Sequence, residues 1–392
     1  MLRSPLAFAL PAVFAALSFS SLAQAQESVK IGLILPMTGA SASTGREVEA
    51  AVKLFQAQNG DKAGGKKVEV IVKDDTGTAD ITKRLAQELI VNDKVAIIAG
   101  FGLTPLALAA APLATQAKVP EIVMAAATAT ITEASPYIVR TSFTLPQVTV
   151  PIADWAAQNG IKKVVTLVAD YGPGIDAEKA FKEKFTAAGG QVLDSLRSPL
   201  RNPEFAPFLQ KAKDLQPDAL FLFVPSGQGA ALMKQVADRD FEAAKIKVIA
   251  TGDVLDDEQL GGMGDAVLGI INSHQYSVVH DSPENKAFVS AFEKANPSMR
   301  PNFMAVAGYD GMALIYKALD KTKGDTDGTK LVEAMKGEAW VSPRGPISID
   351  PQTRDIIQNV YIRKVEKKDG SLYNVEFATV PNVKDPVKAA KK

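Results

Sequence analysis

Side chains able to do nucleophilic or acid–base chemistry are scarce in this sequence. It holds two histidines, His274 and His280, and no cysteine. A charge-relay hydrolase needs a histidine placed beside its nucleophile, and the Gly-x-Ser-x-Gly elbow that presents such a serine does not occur. A zinc site on a His-Glu-x-x-His helix is excluded too, because the histidines stand six residues apart without that motif. Lacking companion motifs, both read as surface or loop residues. The missing cysteines remove thiol nucleophiles, thiolate metal sites and disulfides together. The expectation is a chain without metal, cofactor or catalytic residues, and not an enzyme.

Two glycine-rich stretches imitate phosphate-binding loops. In residues 60–66, Gly60, Gly65 and Lys66 have the right spacing, but Lys67 replaces the metal-binding Ser or Thr. The stretch also follows a helical pattern and precedes a strand, the reverse of the required order, so it reads as a turn. Gly172-Pro173-Gly174-Ile175-Asp176-Ala177 follows an apolar run and fits G-x-G-x-x-A. Pro173 has no N–H to offer a pyrophosphate, which makes a nucleotide-dependent dehydrogenase the lesser reading.

Other residues suit capture rather than catalysis. Three strand ends carry small, hydroxyl-bearing loops that open helices, at residues 37–41, 100–104 and 125–130. Small side chains let backbone N–H groups approach a ligand, and a helix N-terminus adds positive potential that suits an anion. Thr104 and Thr128 add hydroxyl donors, so a carboxylate can be held without lysine or arginine. Thr104 precedes Pro105 and can also serve as an N-cap. Tyr171, Ser226 and Asp253 stand at later strand ends. Tyr171 offers a ring and a hydroxyl. Asp253 offers an acceptor for an ammonium or hydroxyl group, or a turn role after Gly252.

The elements that must position these residues follow one rhythm. Apolar strand-like runs at residues 29–35, 68–72, 95–99 and 121–124 alternate with helical patterns at 45–59, 81–89 and 106–117. The rhythm restarts near residues 141–146. Strands at 163–169, 191–196, 219–224 and 247–250 then alternate with helices at 148–158, 177–188, 203–215 and 229–237. Such alternation implies parallel sheets covered by helices on both faces, an α/β fold. From about residue 269 come one strand, helices at 284–295, 304–319 and 330–336, and a hairpin of 361–366 with 373–379. These pieces suit a chain that returns to complete its first two units. Lobe 1 is then 26–144 plus 276–346, and lobe 2 is 145–275 plus 347–392. A multi-strand hinge joins them, and the carboxyl ends of both sets of strands face one cleft.

Composition narrows the setting. Lys+Arg 44 against Asp+Glu 44 argues against nucleic-acid binding, which rests on phosphate neutralisation. The basic end, residues 384–392, reads as solvated and frayed. Arg3, the mostly apolar run 6–22 and Ala23-Gln24-Ala25 read as a signal peptide over residues 1–25, which implies export. Without cysteine there is no lipid anchor at that site. No later run has the apolar length of a membrane span.

The chain resembles the leucine/isoleucine/valine-binding family of periplasmic solute-binding proteins along essentially its whole length after residue 25. The resemblance is carried by residues 29–39 (VKIGLILPMTG), Lys73-Asp74-Asp75, 87–92 (QELIVN), 125–130, 137–141 (YIVRT), 170–174 (DYGPG) and Tyr309-Asp310-Gly311. It implies a type I periplasmic-binding-protein fold and a monomeric ABC-transporter component in the periplasm. Such a component captures a small carboxylate by hinge closure and delivers it to the inner-membrane permease. By this resemblance Thr104, Ala126, Ala127 and Thr128 carry the carboxylate, Tyr171 closes from the second lobe, and Asp253 receives an α-ammonium. Thr44 and Ser226 stand where amino-acid binders often have aromatic walls, and Phe101 adds an aromatic beside Thr104. The sequence is also similar to a branch that takes up hydroxybenzoates and hydroxycinnamates, where Asp253 would meet a phenol hydroxyl or water. The expected ligand is a branched-chain or related amino acid. An aromatic acid is the alternative, and a periplasmic sensor domain for a receptor is a reading of another class.

Overall fold

The computed structural model describes Met1 and residues 28–391, so the expected signal peptide falls outside the described residues. The first unit runs β1 (Val29–Leu35), α1 (Ala42–Asn59), β2 (Lys62–Ala63), β3 (Lys66–Asp74), α2 (Ala79–Val91), β4 (Ile97–Gly100), α3 (Thr104–Ala117), β5 (Glu121–Val123) and β6 (Ile138–Arg140). Its sheet has the order β2-β3-β1-β4-β5-β6, parallel apart from the short β2–β3 hairpin. β1 is buried at six of its seven positions, as a strand with helices on both faces must be. That is why it reads as a continuous apolar run rather than as an alternation.

The second unit runs α4 (Leu145–Gln158), β7 (Lys163–Ala169), α5 (Gly172–Ala187), β8 (Gln191–Ser198), α6 (Ala206–Asp214), β9 (Ala219–Phe223), α7 (Gly229–Ala237), β10 (Lys247–Thr251) and β11 (Ile271–His274). These strands form a parallel sheet in the order β8-β7-β9-β10-β11. The chain then returns to the first unit with α8 (Pro283–Ala295), α9 (Phe303–Lys321) and α10 (Gly328–Met335). Of these, α8 and α9 lie against α1, and α10 lies against β6. It ends with β12 (Ala339–Ser342), β13 (Gly345–Ile349), β14 (Ile356–Lys368), β15 (Ser371–Val383) and α11 (Pro386–Ala389).

β14 pairs antiparallel with β11, β13 and β15, which makes the second sheet nine-stranded and mixed. Its hairpin to β15 turns on Asp369 and Gly370, both at positive φ, the pair favoured by a two-residue turn between twisted strands. The return to the second sheet begins at β12, where Ala339 pairs with Ser348, whereas the sequence reading keeps residues up to 346 with the first lobe. Among the described residues no helix is long and apolar enough to cross a membrane.

Three crossings join the lobes: between β6 and α4, between β11 and α8, and between α10 and β12. One buried cation gathers two of them. Arg344 is fully buried, 2.8 Å from the carboxylate of Asp310 on α9. Its remaining N–H groups donate to the Thr141 carbonyl at 2.5 Å, the Ser142 carbonyl at 3.1 Å and Gln358 Oε1 at 2.9 Å. Asp310 also accepts from Ser342 Oγ and from the Trp340 indole N–H.

A second network sits beside it. Arg140 pairs with Asp355 at 3.0 Å and donates to the carbonyls of Phe143 and Thr128. Lys388 donates to the same Asp355 and to Thr132 Oγ1. The basic end is therefore not frayed through residue 391. Lys388 is buried, Lys384 pairs with Asp350, and Lys391 pairs with Glu133.

Removing one partner of a buried, fully bonded ion pair leaves the other charge uncompensated, at about 3–5 kcal/mol. Arg344→Ala should therefore lower unfolding stability in urea by that order, and an unchanged midpoint would show that the hub contributes no net stability.

Candidate ligand-binding site

The carboxyl ends of strands from both sheets open onto one narrow pocket between them. From the first lobe come Thr44, the segment 102–104 at the start of α3, and Ala125, Ala126 and Ala127 after β5. From the second come Tyr171, Pro173, Phe223, Pro225, Ser226 and Asp253. Phe143 and Leu145 of the first hinge crossing, and Met304 of α9, complete the wall. Seven of the nine residues named from sequence thus share one cavity: Thr44, Thr104, Ala126, Ala127, Tyr171, Ser226 and Asp253.

Thr128 stands behind that wall, its Oγ1 2.9 Å from Thr104 Oγ1. Phe101 does not reach the pocket. Its ring is fully buried in the cluster formed by β4, α2 and α3, because a backbone at φ +66° turns it into the core. Only its carbonyl serves the site, accepting from Ala126 N–H at 3.0 Å.

The first-lobe end of the pocket is assembled from neutral donors. The N-cap of α3 is Leu103 rather than Thr104, so Thr104 begins the helix and its hydroxyl is not spent on capping. The first N–H groups of a helix lack intrahelical partners and point toward its N-terminal end. Opposite them the 125–128 loop is held rigidly from behind. Arg140 donates to Thr128 O at 2.7 Å, Ser142 Oγ donates to Ala126 O at 3.2 Å, and Leu145 N–H donates to Ala127 O at 3.0 Å. Among the described residues no lysine or arginine lines the pocket.

The opposite wall comes from the second lobe. Tyr171 stacks on Phe223 with ring centroids 6.1 Å apart and planes 15° from parallel. Burial, then the charge of Asp253, pushes the Tyr171 phenol well above its usual range, so it remains a donor at neutral pH. Asp253 lies 3.3 Å from Nε2 of His274, which is fully buried at the end of β11. The expectation of a surface histidine is overturned, because Phe143 and Phe303 pack on its ring at 4.8 and 4.1 Å between centroids. Burial pushes its pKa down to about 4. His280 is also paired, its Nδ1 2.8 Å from Glu376.

Phe143, Phe223 and His274 were missed in the sequence because each sits at the end of a strand run that core packing alone accounts for. Their signal was positional: all three follow or end strands whose carboxyl ends face the cleft.

The glycines of the nucleotide-like motif have a packing explanation. A Cβ on Gly174 would lie 1.8 Å from the Ala169 carbonyl, so α5 can start against the end of β7 only without a side chain. A Cβ on Gly172 would lie 2.4 Å from Thr128 Oγ1, across the seam between lobes. The lobes also meet where Asp176 accepts from Ala129 N–H at 2.7 Å, Ser43 Oγ donates to Glu258 at 2.6 Å, and Asn302 Nδ2 donates to both oxygens of Asp256 at 3.0 Å.

Known proteins share this architecture. A family model for periplasmic binding proteins matches residues 28–371. The Leu/Ile/Val-binding protein homolog 6 of Brucella abortus is 44% identical over 378 residues, covering 95% of this chain and 96% of the relative. A solute-binding protein of an ABC transporter from Rhodopseudomonas palustris BisB5, solved with 3,4-dihydroxybenzoic acid, superposes with a TM-score of 0.90. It is 62% identical and covers 92% of this chain and 99% of its own. Another from Rhodopseudomonas palustris HaA2, solved with p-hydroxybenzoic acid, also has a TM-score of 0.90, at 45% identity over 93% of this chain and all of its own. With its two doubly wound lobes, its hinge and its cleft, the chain belongs to the periplasmic binding protein family, as an ABC-transporter solute-binding protein of the Leu/Ile/Val-binding type.

Proposed function

We propose that the ligand is an aromatic carboxylic acid of the hydroxybenzoate kind. The observation that carries this reading is the pocket wall. Phe143, Tyr171 and Phe223 give flat apolar surface for a ring, between hydroxyl and N–H donors at Thr104 and an acceptor at Asp253. The complexes of the two Rhodopseudomonas proteins with hydroxybenzoic acids support it. An amino acid is the second reading, favoured by the carboxylate of Asp253, which suits an ammonium, and by the name of the Brucella relative. In either case the chain acts as a monomeric carrier, not as an enzyme or a nucleic-acid binder, with residues 1–25 removed on export and the lobes divided near residues 144 and 276 and between α10 and β12.

The carboxylate docks on Thr104 and the 126–128 loop, and closure brings Tyr171 and Asp253 over the ring. Closing shifts an equilibrium only by the ligand's better fit to the closed form, which the permease then reads. A melting-temperature screen of hydroxybenzoates, benzoate and aliphatic amino acids tests the ligand class. A rise with the aromatic acids alone is expected, and a rise with leucine alone would overturn the reading. Thr104→Val removes a donor from the buried carboxylate and should weaken binding by about 1–3 kcal/mol in calorimetry.

Closure also presses carboxylates together. Glu47 of α1 faces Asp256 and Glu258 of the second lobe, with Arg46 beside Glu47 and Arg363 beyond Asp256. Burial, reinforced by the neighbouring carboxylates, pushes Asp256 up to about 7 and Glu47 well above the usual range. In an open cleft both regain water and titrate nearer their ordinary values, so closing takes up protons between the two values. The proton taken up by Asp256 should therefore tighten affinity as pH falls from about 7 to 5, by up to about tenfold per unit, and its contribution should level off above about pH 8. Asp256→Asn should flatten that profile in calorimetry across the same range.

A further inference from the structure

We propose that His274 is a positioning residue for ligand selection. It holds the Asp253 carboxylate so that the far end of the pocket takes a hydroxyl donor from the ligand ring, which favours para-hydroxylated aromatic acids over unsubstituted ones. The inference rests on the aromatic-acid reading above and assigns the end of the pocket which that reading leaves to Asp253.

The arrangement is fixed by the sheet. β10 and β11 run side by side with Thr251 opposite Ser273, so Asp253 emerges just past the end of β10 beside His274. Gly252 lies between them, and a Cβ there would sit 2.6 Å from His274 Cδ2 and 2.0 Å from the guanidinium of Arg363. The imidazole is thus packed by backbone on one side and by Phe143 and Phe303 on the others. It cannot swing away from Asp253.

The chemistry follows from the charge state. Arg363 and Arg344 reinforce the burial that keeps His274 neutral at physiological pH. A neutral imidazole donates from one nitrogen only, and a carboxylate beside Nε2 selects Nε2–H as the donor. Nδ1 is left without a hydrogen-bond partner among the described residues, so the ring is spent on Asp253 rather than shared. Since His274 stays neutral, it brings no positive charge of its own to the Asp253 carboxylate. One oxygen is engaged at 3.3 Å, and the residue itself lines the pocket almost fully buried. A hydrogen bond from a phenol hydroxyl to such a carboxylate is charge-assisted and shielded from water. A para-substituted ring places its carboxylate and hydroxyl at opposite ends of a rigid line. Thr104 and Asp253 approach the pocket from opposite lobes.

The experiment is calorimetry of 4-hydroxybenzoate and of benzoate on the full chain, with His274→Leu, His274→Phe and His274→Gln. Wild type should bind 4-hydroxybenzoate at least about tenfold more tightly than benzoate, as one well-made charge-assisted bond gives. Both donorless variants should bring that ratio down to within about threefold, mainly by weakening 4-hydroxybenzoate. Gln, which restores an N–H donor, should recover most of it. Phe fills the imidazole's space and keeps the test open if Leu disturbs the fold. A ratio unchanged in Leu and Phe, or equal losses for both ligands, would show that His274 only packs and would overturn the proposal. Wild type that binds neither aromatic acid would overturn the ligand class itself, and is seen before any variant is made.

Discussion

The rest of the structure depends on how a guanidinium is kept out of water at the hinge. Arg344 is an ion with almost no exposure, and such an ion is tolerable only when every N–H finds an acceptor. Asp310, two carbonyls of the first crossing and Gln358 of β14 meet that demand. Because the acceptors lie on α9, on the first crossing and on β14, satisfying one charge fixes those segments against each other. Phe143 and Leu145 leave this knot directly into the pocket wall, so hinge and site share their anchoring. Arg140 repeats the device one step away, with one arm on Asp355 and another on the loop proposed to hold the carboxylate.

The site has two characters as a result. Its first-lobe side is rigid, small and donor-rich, built from backbone that Arg140, Ser142 and Leu145 hold in place. Its second-lobe side is aromatic and acidic, carried on the ends of the second sheet. Holding an anion with neutral dipoles avoids stranding a buried cation whenever the cleft is empty. The cost appears at the seam instead, where Glu47 and Asp256 lose water on closing.

Much of this was legible in the sequence, for a definite reason. Parallel strands buried on both faces, such as β1 and β9, leave unbroken apolar runs. The short strands β6, β12 and β13 escaped notice because three to five residues carry no period, and their pairing is decided by partners far along the chain. Residues whose polarity stands out at a strand end, Thr104, Tyr171, Ser226 and Asp253, do line the one pocket. Phe101 was misplaced because a sequence does not show that a residue takes positive φ and points inward. His274 and Lys388 were misjudged in the same way. Each is polar and looks solvated, and each is buried because a carboxylate distant in sequence waits for it.

Gly172 carries a consequence for how far the cleft can shut. Where it meets Thr128, bare backbone faces a hydroxyl with no room for even a methyl group between them. The seam is therefore a doorstop of fixed thickness, and its height sets the gap left for a guest. A guest taller than that gap would hold the door ajar and leave a permease with the wrong shape to grip.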